Sequence, residues 1–218
     1  MSRRFGIALR ALAGVLLAAS VLPAQSRRTD NLAVGKLLVT PRDSPDPAFA
    51  QSVILLVHYD RDSAVGLMIN RRTTIPLSRA LRSLKGAGQR SDLAYIGGPV
   101  ETDGAMALVR SSAKPESGAQ VLERIFLIPT RPALEGTLAG SKSADDLRVY
   151  IGYCGWGPGQ LDNEMHLGAW YLLEGNAALV FDPNPDTIWS RLIARSESRV
   201  ALALPPPSLV RLLVGSVR

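Results

Sequence analysis

The sequence predicts an α+β fold: a largely antiparallel sheet with short helices packed around it. Three observations carry that expectation. A chain of 218 residues with 46% hydrophobic content is large enough for one well-buried core and too small for two ordinary ones. Its apolar runs are short and joined mostly by turn-rich connections of hairpin length. Helical patterns are interspersed without the regular strand–helix–strand alternation of a doubly wound sheet.

Taken in order, residues 35–40 (GKLLVT) form the first short strand, and the proline- and aspartate-rich stretch 41–47 cannot continue it. Residues 52–59 and 64–70 are apolar runs on either side of Asp60-Arg61-Asp62-Ser63 and predict a β-hairpin. Leu77, Leu81 and Leu84 lie at helical spacing behind Pro76, so 76–84 predicts a surface helix ended by Gly86-Ala87-Gly88. Residues 95–100 and 105–109 predict two strands around Thr102-Asp103-Gly104, where Asp-Gly favours a tight turn. A strand at 122–128, a helix at 131–139 and a strand at 147–153 follow. Residues 169–173 and 177–181 read as strands, and 186–195 as a helix with Ile188, Leu192 and Ile193 on its apolar face. After Glu197 the Pro205-Pro206-Pro207 break precedes an apolar segment, 208–214.

The chain is organised around residues 150–170, which hold Tyr150, Tyr153, Trp156, Trp170, the only cysteine, Cys154, and a run of glycines. The strand ending near Tyr153 runs into Gly-Trp-Gly-Pro-Gly, predicting a sharp strand-to-helix turn. From Gly159 onward, Gln160 and Glu164 share one face of a short helix while Leu161 and Met165 share the next. Nucleotide binding is disfavoured here. The Lys-Ser/Thr of a Walker loop and the G-x-G-x-x-G spacing of a Rossmann turn are both missing, and Asp162 and Glu164 near the helix start would repel phosphate.

This segment resembles the signature of the YqgE/AlgH family of bacterial proteins, close to GYxGWxxGQLExE followed by Ala-Trp. It is matched by Gly152, Tyr153, Gly155, Trp156, Gly159, Gln160, Leu161, Glu164, Ala169 and Trp170. Earlier family landmarks fall in order at Asp46, Phe49, Ser52 and Val53, at Gly66, Leu67, Ile69 and Asn70, and at Gly97 to Val100. Ser63, Arg71, Arg72 and Arg110 depart from the family pattern, the last standing where many relatives carry histidine. The resemblance implies a bent, largely antiparallel sheet approaching a pseudo-barrel over one domain, residues 32–195, with 196–218 as a C-terminal extension. It implies little about activity, because the family's molecular function is not established and one member is named only as a regulator of alginate synthesis.

Three functional readings compete. A binding or regulatory module needs least: aromatic walls and polar anchors around a rigid turn, with Asn70, Gly97, Gly98, Tyr153, Gly155, Trp156, Gly159, Gln160 and Glu164 as its residues. Trp156 and Trp170 equally suit closure of the core, and both roles stay open. The alternatives are a thiol enzyme with Cys154 as nucleophile and His58 or His166 as base, or a carboxylate-dependent enzyme using Asp162 and Glu164 with Asp46 or Asp60. A small buried residue accounts better for Cys154, and no carboxylate spacing is diagnostic. The enzyme reading is therefore the runner-up.

Composition narrows the partners. Residues 1–24 carry Arg3, Arg4 and Arg10, an apolar run from Ala11 to Leu22 and the small Ala24, the order of a secretory signal peptide. Ser2-Arg3-Arg4 is a partial twin-arginine match. Removing those three arginines from 25 basic residues leaves 22 against 19 acidic, only +3. Direct nucleic-acid binding is not expected, since neither a basic stripe nor a helix-turn-helix pattern is visible. One cysteine and two histidines predict no metal site, and no cofactor is expected. After signal removal no stretch is long enough to span a membrane. The expectation is an exported, periplasmic protein with a protein or small-molecule partner. Cytoplasmic residence, as in relatives, and an uncleaved anchor are the alternatives.

Overall fold

In the computed structural model, which describes residues 31–140 and 143–203, strand β9 (Leu147–Trp156) is the axis of the molecule. It pairs antiparallel with β3 (Ala64–Met68) and β6 (Val100–Arg110), and parallel with β5 (Leu93–Ile96). Beyond β3 lie β2 (Val53–Tyr59), β1 (Lys36–Val39) and β10 (Tyr171–Glu174); beyond β6 lie β8 (Ile125–Ile128) and β7 (Ala119–Leu122). An edge strand, β4 (Arg72–Pro76), pairs with β5. The sheet is antiparallel apart from the β5–β9 pair and curls into a half-barrel carrying a few short helices, the α+β architecture that the sequence predicts.

β1 and β2 are continuous apolar runs because both faces of the sheet are covered. Leu37, Val39, Val53, Leu55 and Val57 pack on one face with Ile188, Trp189, Leu192 and Ile193 of α5 (Ile188–Ala203). Leu38, Ile54 and Leu56 pack on the other with Leu161 and Met165 of α3 (Gln160–His166) and with Trp156 and Trp170. A third cluster seats α1 (Leu77–Ala80) and α2 (Arg131–Ala139) against Val109, Ile128 and Val149. Each fully buried Leu, Ile or Val contributes roughly 1.5–3 kcal/mol relative to exposure.

The 52–59/64–70 hairpin forms, and Asp60 closes it by accepting the amides of Asp62 and Ser63, each at 2.9 Å. Several predicted elements differ. The Asp103-Gly104 signal makes no hairpin: β6 runs unbroken from Val100, absorbing those residues in an irregularity between Val100 and Ala105, with Glu101 at φ 48°. The real break falls at Gly97-Gly98, where the chain leaves β5. The predicted strand 122–128 is instead a hairpin, β7–β8, turned at Arg124 with φ 61°.

Residues 177–181 form a helical turn, α4 (Ala177–Val180), because the Asn176 side chain accepts the Leu179 amide at 3.0 Å and caps it. The helix expected at 76–84 is regular only over α1, though Leu77, Leu81 and Leu84 are all buried as their spacing required. β4 was not foreseen, since RTTIP on an exposed edge shows no apolar alternation. α5 begins after a 3-10 turn at Pro185–Thr187 and runs beyond residue 195. The leader, residues 1–24, and the Pro205-Pro206-Pro207 tail lie outside the described residues. Among the described residues no helix is long and apolar enough to cross a membrane.

Candidate functional site

The end of β9 sorts the motif by strand alternation. Cys154 and Trp156 point inward and are buried, whereas Tyr153 is half-buried and Gly155 exposed on the other face. Gly159, at φ 66°, then turns the chain left-handed into α3, a geometry that favours glycine. That turn brings Glu164 beneath both tryptophans. Its Oε2 accepts the indole N–H of Trp156 and of Trp170, each at 2.9 Å, and its Oε1 accepts Gln160 Nε2 at 3.0 Å. Gln160 in turn accepts the Gly157 amide at 3.2 Å. The two indoles meet edge-on at 6.2 Å, and Phe49 meets Trp170 edge-on at 5.6 Å. The result is a polar knot at the edge of an aromatic cluster, half-buried at Glu164 and exposed at Gln160, which fixes the turn.

Gly97 and Gly98 have a different task. A Cβ on Gly97 would lie 2.1 Å from the Gly152 carbonyl oxygen, and one on Gly98 2.1 Å from the Tyr153 carbonyl carbon. Only glycine lets these backbones touch. Asn70 sits apart from the knot: its side chain accepts the Val53 amide at 2.8 Å and donates to the Gln51 carbonyl at 2.9 Å, tying β2 to β3. The structure thus brings Gly155, Trp156, Gly159, Gln160 and Glu164 together, sets Gly97 and Gly98 behind Tyr153, and leaves Asn70 elsewhere.

Reactive groups are closed off. Cys154 is 1% exposed, its thiol contacts the Gly97 carbonyl at 3.4 Å, and burial pushes its pKa up to about 12. Neither histidine serves it: His58 pairs with Asp60 at 3.0 Å, and His166 Nδ1 meets the Asp162 carbonyl at 2.8 Å. Asp162 accepts the Tyr59 hydroxyl at 2.9 Å, and burial together with that carboxylate pushes the phenol up to about 12. Among the described residues no group of three or more His, Cys, Asp or Glu is gathered to hold a metal ion.

On the open side of β9 lies a pocket of about 170 Å³, walled by Tyr153, Glu101, Met106, Pro129 and Arg131. Tyr153 donates to Glu101 Oε1 at 3.2 Å, and burial and that carboxylate both raise its pKa. Glu101 holds its left-handed backbone at a cost of about 1–2 kcal/mol. Arg131 is engaged by Glu135 at 3.1 Å and by the Ser83 carbonyl. Apart from Tyr153, the sequence did not single out these walls. Their only local signal was the mismatched Asp-Gly turn, which marks the irregularity that places Glu101.

Comparison with known proteins places the chain in company. The model of the AlgH-like family matches residues 37–201. A UPF0301 protein of Streptomyces avermitilis is 32% identical over 179 residues, spanning 79% of this chain and 91% of that protein. One from Myxococcus xanthus is 35% identical over 162 residues, spanning 73% and 87%. The solution structure of the AlgH protein from Pseudomonas aeruginosa superposes with a TM-score of 0.60 at 28% identity, covering 84% of this chain and 93% of that one. A Corynebacterium diphtheriae protein solved by crystallography shares the fold at TM-score 0.61 and 20% identity, covering 75% and 87%.

Proposed function

Because the chain belongs to the AlgH-like family, whose molecular function is unknown, we propose that it acts as a binding or regulatory module rather than by catalysis. In this reading the segment from Gly152 to Glu164 is the frame of a recognition site, and the half-buried Tyr153 is its contact residue. The observation that carries the reading is the division of labour along β9. Cys154 and Trp156 are spent on the interior, while Tyr153 and Glu101 face an open pocket. The ligand is a small molecule, or one inserted side chain of a protein partner, that hydrogen-bonds the Tyr153–Glu101 pair.

Ligand-shift thermal screening tests this on the wild type beside Tyr153→Phe and Trp156→Ala. A compound that raises the wild-type midpoint and leaves Tyr153→Phe unmoved supports the site. Compounds that shift wild type and Tyr153→Phe alike count against it. The leader pattern at residues 1–24 supports the further proposal that the module works outside the cytoplasm, on an envelope partner and not on DNA. Cell fractionation with N-terminal sequencing tests that. A mature start near Gln25 supports it, and an intact Met1 in the cytoplasm sinks it.

A further inference from the structure

A second pocket, about 380 Å³, opens where β4, β5 and β9 meet the segment after α4, and it shares no lining residue with the pocket beside Tyr153. Arg148 and Arg72 line it together with Tyr95, Leu93, Leu147 and Pro183. Arg148 is 7% exposed, and the carboxylate that senses its charge, Asp182, is ion-paired with Arg191. Its guanidinium lies 4.9 Å from the Tyr95 ring centre and 5.5 Å from that of Phe181, and Nη2 donates to the Asp182 carbonyl. Nη1 and the Tyr150 hydroxyl are both buried, and the guanidinium acts on that phenol, pulling its pKa down against the larger rise that burial causes.

Arg72 is loosely held: its closest contacts are the Pro183 carbonyl at 3.3 Å and Asp186 at 3.6 Å. Two carboxylates line the pocket, but Asp92 is bound by Arg90. Asp182, behind Arg148, is bound by Arg191. Asp145 is the remaining negative group at the wall.

A buried guanidinium is costly to hold, and here its neighbouring carboxylate, Asp182, is shared with Arg191, while the aromatic faces offset only part of the cost. Arg72 and Arg148 place two positive groups at one wall of the pocket, and Leu93, Leu147 and Pro183 offer an apolar surface beside them. We propose that this pocket binds a small organic anion, a carboxylate or phosphate monoester on a planar apolar body. Its oxyanion engages the Arg72 and Arg148 guanidiniums, and its body lies against Leu93, Leu147 and Pro183. Arginine forks suit both groups geometrically.

Titration calorimetry of the purified chain with phenyl phosphate and benzoate tests the site, with benzyl alcohol as the neutral control. Saturable binding of at least one anion, with none of the alcohol, is expected. Arg72→Gln, whose side chain is one-third exposed, keeps the fold and weakens binding about 10- to 100-fold, the size of a charged hydrogen bond. Asp145→Asn removes the repelling carboxylate and tightens binding. Arg148→Met abolishes binding, and if it fails to fold, the other two variants carry the test. Absence of binding by both anions up to about 10 mM overturns the proposal. So does equal binding by Arg72→Gln and wild type, or capture of benzyl alcohol as tightly as the anions.

Discussion

Trp156 and Trp170 share one acceptor, the Oε2 oxygen of Glu164, each donating its indole N–H at 2.9 Å. A single carboxylate oxygen therefore ties the end of β9 to the chain entering β10, with α3 between them.

Removing that carboxylate strands two buried indole donors. Glu164→Ala is expected to lose about 2–4 kcal/mol in urea unfolding, while Glu164→Gln, which keeps an accepting oxygen, loses less. Trp156→Ala, which empties a volume that is 5% exposed, is expected to lose roughly 3–5 kcal/mol. Equal losses for Glu164→Ala and Glu164→Gln would show that the shared acceptor is not what stabilises the turn.

The close approach of Gly97 and Gly98 to β9 separates glycines that fit from glycines that merely occur. Gly98→Ala drives a methyl into the Tyr153 backbone at 2.1 Å and is expected to abolish soluble expression or cost more than about 4 kcal/mol. Gly157→Ala, with nothing within 4 Å of its Cβ, is expected to leave the melting midpoint nearly unchanged. Similar melting of the two variants would contradict the contact.

Cys154 makes a kinetic prediction. With its thiol at 1% exposure and its pKa raised to about 12, iodoacetamide near pH 8 is expected to label it far more slowly than a free thiol, and at the free-thiol rate only in denaturant. Labelling of the native protein at or above the free-thiol rate would revive the nucleophile reading.

Asp182 links stability to acid. Burial acts to raise its pKa, but the Arg191 ion pair, the Asn184 amide and Arg148 outweigh that and hold it below the ordinary 3.8. Because the folded value is depressed, its contribution is fully present above the unfolded pKa and is lost as pH falls through the folded one. Asp182→Asn is expected to be less stable than wild type at neutral pH, the gap closing in strong acid. A gap independent of pH would show that the charge is not responsible.

What the sequence made legible was whatever is encoded locally. The Asp60 turn, the inward spacing of Leu77, Leu81 and Leu84, and the helix after Gly159 all rest on neighbours within a few residues. One local signal was passed over: the Asn176 cap that makes Ala177–Val180 helical lies beside it in the chain. Features decided by distant partners escaped. Asp103-Gly104 reads as a hairpin until β9 is present to hold β6 straight. The same holds at the site. Glu164 and Gln160 could be placed on one helix face, but sequence spacing could not reveal that both tryptophans spend their polar atoms on that glutamate. Nor could it show that Arg148, from the middle of an apolar strand, reaches a pocket beside Tyr95.

The position of β9 in the sheet has a consequence for how the chain comes together. β3, β5 and β6 all wait for it, yet it begins only at Leu147. Until that residue has left the ribosome, β1–β3, β4–β5 and β6–β8 are separate pieces presenting unpaired edges, the condition under which chains pair wrongly with one another. Closure then joins strands far apart in sequence, which makes it a slow step. The nascent chain therefore passes through a window, late in synthesis, in which it depends on being shielded from its neighbours.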